Sequence, residues 1–78
     1  MPKLPQLQAK DLEKVARKVG FFHDRTTGSH FIYFREEDQK AISIPKHKGK
    51  TLGKGLAHSL IKQMDLTKEE FLKLLKKK

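Results

Sequence analysis

The chain has 78 residues, a length that sets one domain with one modest core. Lys and Arg number 18 against 9 Asp and Glu, a formal charge of +9, which points to polyanionic partners, either nucleic acid or an acidic protein. Cysteine is absent, so disulfide staples, zinc–thiolate sites and thiolate nucleophiles are excluded together, and any chemistry falls to His, Ser, Tyr, Lys, Arg or carboxylates.

The N-terminal stretch Met1–Gln8 carries Pro2 and Pro5 and no hydrophobic period, and reads as a loose lead-in. Leu12, Val15, Ala16 and Val19 then recur at helical spacing and form one apolar stripe. Asp11 and Glu13 near the start and Arg17 and Lys18 near the end match the helix dipole, and Gly20 stands where a helix stop belongs. The first helix is expected over about 9–19.

Phe21–Arg25 is a short strand candidate, followed by a turn at Thr26-Thr27-Gly28-Ser29. His30–Arg35 is rich in aromatic and β-branched residues, as strands are. Glu36-Glu37-Asp38-Gln39 is a polar break, and Lys40–Ile44 is a third strand ended by Pro45. Short breaks predict an antiparallel meander. The middle strand is apolar on both faces: His30, Ile32 and Phe34 share one, Phe31 and Tyr33 the other. Periodicity leaves open which face is buried.

Beyond the basic loop Lys46–Lys50, a second helix is expected over Leu52–Met64, with Leu56, Leu60, Ile61 and Met64 on its apolar side. Thr67-Lys68-Glu69-Glu70 fits a capping box. It opens a short last helix with Phe71, Leu72, Leu74 and Leu75 inward and a frayed tail at Lys76–Lys78. The expected fold is a single domain over 1–78, an α+β sandwich of order α-β-β-β-α with a short extra C-terminal helix, both long helices on one sheet face. No apolar run approaches the ~20 residues a membrane span needs, and Met1–Lys10 has no signal-peptide core. A cytoplasmic protein with no membrane association is expected.

Gly28-Ser29-His30 is the most informative tripeptide. A glycine at the mouth of a strand permits close backbone approach, and a serine with neighbouring N–H groups can meet phosphate oxygens. A histidine exchanges protons near neutral pH, as cleavage of RNA by its own 2′-hydroxyl requires, with no metal or cofactor. The same three residues also fit a hairpin turn followed by an ordinary strand histidine. The loop Lys46-His47-Lys48-Gly49-Lys50 can hold phosphates through Lys46, Lys48 and Lys50, with His47 as a further contact or a second acid or base, or serve only as a solvated loop. His23 and His58 read as structural or surface residues, and the four histidines show no metal-ligand spacing. Phe31 and Tyr33 fit core positions better than base-stacking ones.

These pieces, taken in order, resemble the HicA (YcfA-like) toxin family: Val19-Gly20-Phe21 closing the first helix, Gly28-Ser29-His30 opening the middle strand, Ile42-Ser43-Ile44-Pro45-Lys46-His47, and Met64-Asp65-Leu66-Thr67 before Glu69-Glu70-Phe71. The resemblance runs from Lys10 to Leu75. It implies a double-stranded-RNA-binding-domain-like fold and an mRNA interferase of a toxin–antitoxin pair. His30 would be its catalytic residue, mRNA its substrate and a HicB-type antitoxin its protein partner. Two positions depart from the family pattern: Glu36–Gln39 replaces a Pro-Asp-Gly-like turn, and Asp65 stands where the helix stop has glycine. A non-catalytic RNA-binding module and a pure protein-interaction domain are the rival readings.

Overall fold

The computed structural model describes residues 4–45 and 51–77. Helix α1 (Ala9–Lys18) is followed by strands β1 (Phe22–Thr27), β2 (His30–Arg35) and β3 (Lys40–Pro45), then helices α2 (Lys54–Gln63) and α3 (Lys68–Lys76). The strands form one antiparallel sheet in the order β1-β2-β3. The α+β architecture expected from the sequence is the one observed. The strand runs on to include Thr26 and Thr27, so the first turn shrinks to Gly28-Ser29.

Each helix end has a local chemical cause. At the start of α1, Asp11 accepts a hydrogen bond from the Gln8 backbone N–H at 2.8 Å. At its end, Gly20 sits at φ +99, and Phe21 and Gly20 donate backward to the carbonyls of Ala16 and Arg17 at 2.9 and 3.3 Å. That pair of bonds closes the helix in a Schellman stop. Helix α2 stops the same way without glycine: Leu66 and Asp65 donate to Ile61 and Lys62 at 3.2 and 2.9 Å, with Asp65 at φ +62. Aspartate tolerates this left-handed conformation better than most residues. The second hairpin turn solves its lack of glycine by placing Gln39 at φ +55, its side chain donating to the Glu36 carbonyl at 3.0 Å. The capping box of α3 forms as expected, Glu70 N–H to Thr67 Oγ1 at 3.1 Å and Thr67 N–H to Glu70 Oε1 at 2.9 Å.

The core lies between the helices and one sheet face. Leu12, Val15 and Ala16 of α1, Tyr33 of β2, Ile42 and Ile44 of β3, Leu60 and Ile61 of α2, Met64 and Phe71 are all buried. Burial settles the parity of β2: Phe31, Tyr33 and Arg35 face the helices, and His30, Ile32 and Phe34 face away. Among the described residues no helix lies on the other face, and every residue of β1 is exposed.

Three expectations need correction. The lead-in is docked, not loose, where it is described: Leu7 is 2% exposed, its carbonyl accepts from the Leu52 N–H at 2.7 Å, and Gln8 bridges to Thr51. Those same contacts hold Leu52 in extended chain, so α2 begins at Lys54. The resulting helix phase turns Leu56 outward, 40% exposed, and buries Ala57 in its place. The tail expected to fray is tied down as far as Lys77, because Lys14 and Lys18 of α1 donate to the carbonyls of Leu75 and Leu74 at 3.1 and 2.6 Å, and Lys18 also reaches that of Lys77, while Lys78 lies outside the described residues. Cations there favour a helix C-terminus.

Arg35 is the buried charged residue among the described ones. Its guanidinium donates to the Val19 carbonyl at 3.1 Å, to both oxygens of Asp38 at 3.0 and 2.7 Å and to Asp65 at 2.8 Å, and lies 4.5 Å from the Phe21 ring centre. Lys40 adds a second cation on Asp65 at 3.1 Å. The hydrogen bond from Arg35 holds the Asp38 carboxyl below its usual range, and those from Lys40 and Arg35 do the same to Asp65.

Two predictions follow from this packing. Phe71→Ala leaves a cavity where an aromatic ring is fully buried and should cost about 3–5 kcal/mol, read as a lower urea midpoint by circular dichroism. For Asp65, the sign follows from the lowered pKa. Its contribution is present in full above the ordinary carboxylate range near pH ~4 and is lost as pH falls through the lower folded-state value. Asp65→Asn keeps the left-handed stop and removes the charge, so it should be less stable than the parent at pH 7, with the gap narrowing as both are titrated to low pH.

Candidate functional site

His30 is the first residue of β2, paired across the Gly28-Ser29 turn with Thr27 and on its other side with Pro45 of β3. Gly28 takes φ +55 while Ser29 stays outside the positive region, the sign pattern of a type II′ hairpin turn. Apart from its chain neighbours, no described atom lies within 4 Å of where a Cβ at Gly28 would stand. The glycine is thus required by its positive φ and not by crowding from any described residue. The imidazole of His30 is exposed, and no described residue hydrogen-bonds to it.

The sheet register sets His30 in a row with Thr27 and Pro45. The next row holds Arg25, Ile32 and Ser43, and the one beyond it Phe22, Phe34 and Ala41. A β-bulge at Asp24 makes this alignment possible. The pairing shifts between His23 and Arg25, so that Arg25 and Thr27 share a face with Phe22. In an unbroken strand, odd and even residues would point to opposite sides. Arg25 forms an ion pair with Asp24 at 2.5 Å, and Phe22 meets Phe34 edge to face with ring centres 5.9 Å apart.

The opposite face carries the other aromatic residues. Tyr33 donates to Glu13 of α1 at 2.6 Å, and the Arg17 guanidinium lies 5.7 Å from its ring centre. Burial and the bond to Glu13 push its phenol well above the usual range, so it stays protonated at physiological pH. His23 packs against both Phe31 and Tyr33 with ring centres 5.6 Å away, and its Nε2 lies 2.8 Å from Thr26 Oγ1. His23 therefore belongs to the helix side of the sheet, away from His30. His58 sits half-buried on α2.

Of the residues expected at the site, the structure brings Gly28, Ser29 and His30 together at one end of the open face. Lys46, His47, Lys48 and Lys50 lie outside the described residues. The chain enters that stretch directly from Pro45, the partner of His30. Alternation sets Phe34 on the side of His30 but gives it no role, and it would split Phe22 from Arg25, because the bulge that brings those two to one face leaves no compositional mark. No three His, Asp or Glu side chains among the described residues are grouped as metal ligands, and no helix among them is long and apolar enough to cross a membrane.

The fold and site define a small basic α+β domain that presents an imidazole on a sheet face no described element covers, beside a turn built on a positive-φ glycine. Residues 9–66 match the family model described as the HicA toxin of bacterial toxin–antitoxin systems. The chain belongs to the HicA toxin family. A search of curated proteins finds no match to it.

The turn geometry carries its own prediction. Gly28→Ala forces a side chain onto a positive φ and should cost roughly 1–2 kcal/mol, measured as a lower thermal midpoint, although no atom is there for the new methyl group to strike.

Proposed function

We propose that this HicA toxin is a metal-independent endoribonuclease of a type II toxin–antitoxin system, acting on mRNA in the cytoplasm, with His30 as the catalytic residue. The observation that carries this reading is the placement of one exposed imidazole on the open face, in the Gly-Ser-His position of the family, on a chain of net charge +9.

The chemistry is transesterification within the RNA. The 2′-oxygen bonds to the adjacent phosphorus as the P–O5′ bond breaks, the 2′ proton passes to a base, and the leaving 5′-oxygen takes up a proton. His30 serves one of these two transfers. Its seat at the head of a paired strand fixes the backbone from which the ring projects, whereas a loop residue would have to be ordered first. Ser29 and the turn backbone beside Gly28 meet phosphate oxygens, and Lys46, His47, Lys48 and Lys50 hold the strand as it passes the histidine. Tyr33 is not a rival acid–base group here, since its phenol faces the helices and donates to Glu13. A HicB-type antitoxin is the expected protein partner, blocking the toxin by binding it.

His30→Ala should lower RNA cleavage by about 10²–10⁴-fold. Because the side chain is exposed and not part of the core, thermal melting should stay unchanged. A folded variant that still degraded RNA at the parental rate would remove His30 from the mechanism.

A further inference from the structure

We propose that Phe22 and Phe34 form a base-stacking platform on the open sheet face, which binds an unpaired nucleobase of the RNA strand that His30 cleaves. This rests on the ribonuclease reading above and names the form of RNA taken: single-stranded, with at least one base splayed onto the sheet. The two rings stand in register on neighbouring strands, their planes 77° apart. In such a T-shaped pair, one ring offers its edge to the other, and a ring face is left available to a third flat group. Phe22 is 44% exposed and, with Leu56, is one of two large hydrophobic side chains that stand out from the described surface. Leu56 lies on α2, away from the sheet, whereas Phe22 shares a face with His30.

The geometry between platform and histidine fits a polyanionic strand. Phe34 and His30 are four residues apart on β2, about 13 Å along the strand, and the row between them holds Arg25, Ile32 and Ser43. Phosphates running from platform to imidazole would thus pass a guanidinium. Arg25 already donates one N–H to Asp24, so a phosphate would meet its remaining guanidinium donors, which have no acceptor among the described residues. Glu36 and Glu37 stand in the turn at the far end of β2, where negative charge disfavours continuation of the strand beyond the phenylalanines. Bases in a duplex are stacked on one another and hide their faces, so only an unpaired base can use the platform. The charge of the chain, +9, favours RNA over a neutral or basic protein as the occupant.

The test uses the full chain carrying His30→Ala, expected to slow cleavage about 10²–10⁴-fold, and a short single-stranded RNA containing 2-aminopurine, whose fluorescence falls when it stacks. The RNA should bind with quenching. Adding Phe22→Leu, which keeps apolar bulk and removes the ring, should weaken single-strand binding about 5- to 30-fold and abolish the quench. Phe22→Trp should restore both. Binding to a duplex of the same sequence should not change. In the cleaving protein, Phe22→Leu should raise KM with kcat nearly intact.

Unchanged single-strand affinity and quenching in a folded Phe22→Leu protein would overturn the platform and leave the role of His30 standing. Unchanged RNA affinity with weakened antitoxin binding would assign the face to protein and overturn it equally. Absence of any RNA binding by the His30→Ala protein would bring down the platform and the ribonuclease reading together. A His30→Ala protein that still cleaves, but loses quenching on Phe22→Leu, would keep the platform and discard the histidine.

Discussion

The guanidinium of Arg35 meets three chain reversals at one point. It reaches the last turn of α1 through the Val19 carbonyl, the β2–β3 turn through Asp38 and the stop of α2 through Asp65. A charge at this depth is tolerable only when its donors are matched, and here the planar fork finds acceptors from three separate elements while its face covers Phe21. Arg35 shares its side of β2 with Phe31 and Tyr33. A one-residue slip of this strand would carry the guanidinium away from its acceptors and turn His30 toward the apolar core. The ion-pair cluster and the location of the histidine are therefore two consequences of one register.

That register divides the molecule by chemistry. The helix side of the sheet holds the apolar packing, with the Tyr33 ring inside it and His23 at its exposed margin. Among the described residues no layer covers the far side, which collects His30, Arg25 and the Phe22–Phe34 pair. The bulge at Asp24 completes the division, since it brings the exposed edge strand into phase with β2 on the open side. An edge strand with unpaired backbone groups is a liability in general. Here the bulge, Arg25 and Asp24 interrupt its regularity while they shape the face where RNA binding is proposed.

The family match stops at residue 66, just before α3. This last helix is nevertheless part of the fold, because Phe71 enters the core and two lysines of α1 hold its terminal carbonyls. The helices pack against one face of the sheet, and no described element covers the other, so the core and the proposed RNA site lie on opposite faces.

Much of this was legible from residue order. Helical spacing of Leu12, Val15 and Ala16, the aromatic run His30–Arg35, the Thr67–Glu70 box and Gly20 are local signals, and local backbone chemistry obeyed them. The Gly28-Ser29-His30 motif and the excess of positive charge were also visible, as was the family resemblance. Asp65 and Gln39 were harder, because a positive φ in a non-glycine residue depends on what the surrounding chain imposes. Leu7 and Leu52 were misread for a related reason: extended segments that pair with each other far apart in sequence carry no period.

The sequence by itself determined the elements, their order, the basic character and the motif that names the family. Tertiary structure alone decided which face of β2 is buried. Both faces are apolar, and only the fit of Tyr33 and Arg35 to partners on α1 and at the stop of α2 favours one of them. It also decided that Phe22, Arg25 and His30 stand together, since one extra residue in a paired strand reverses the facing of everything beyond it, and pairing exists only between strands.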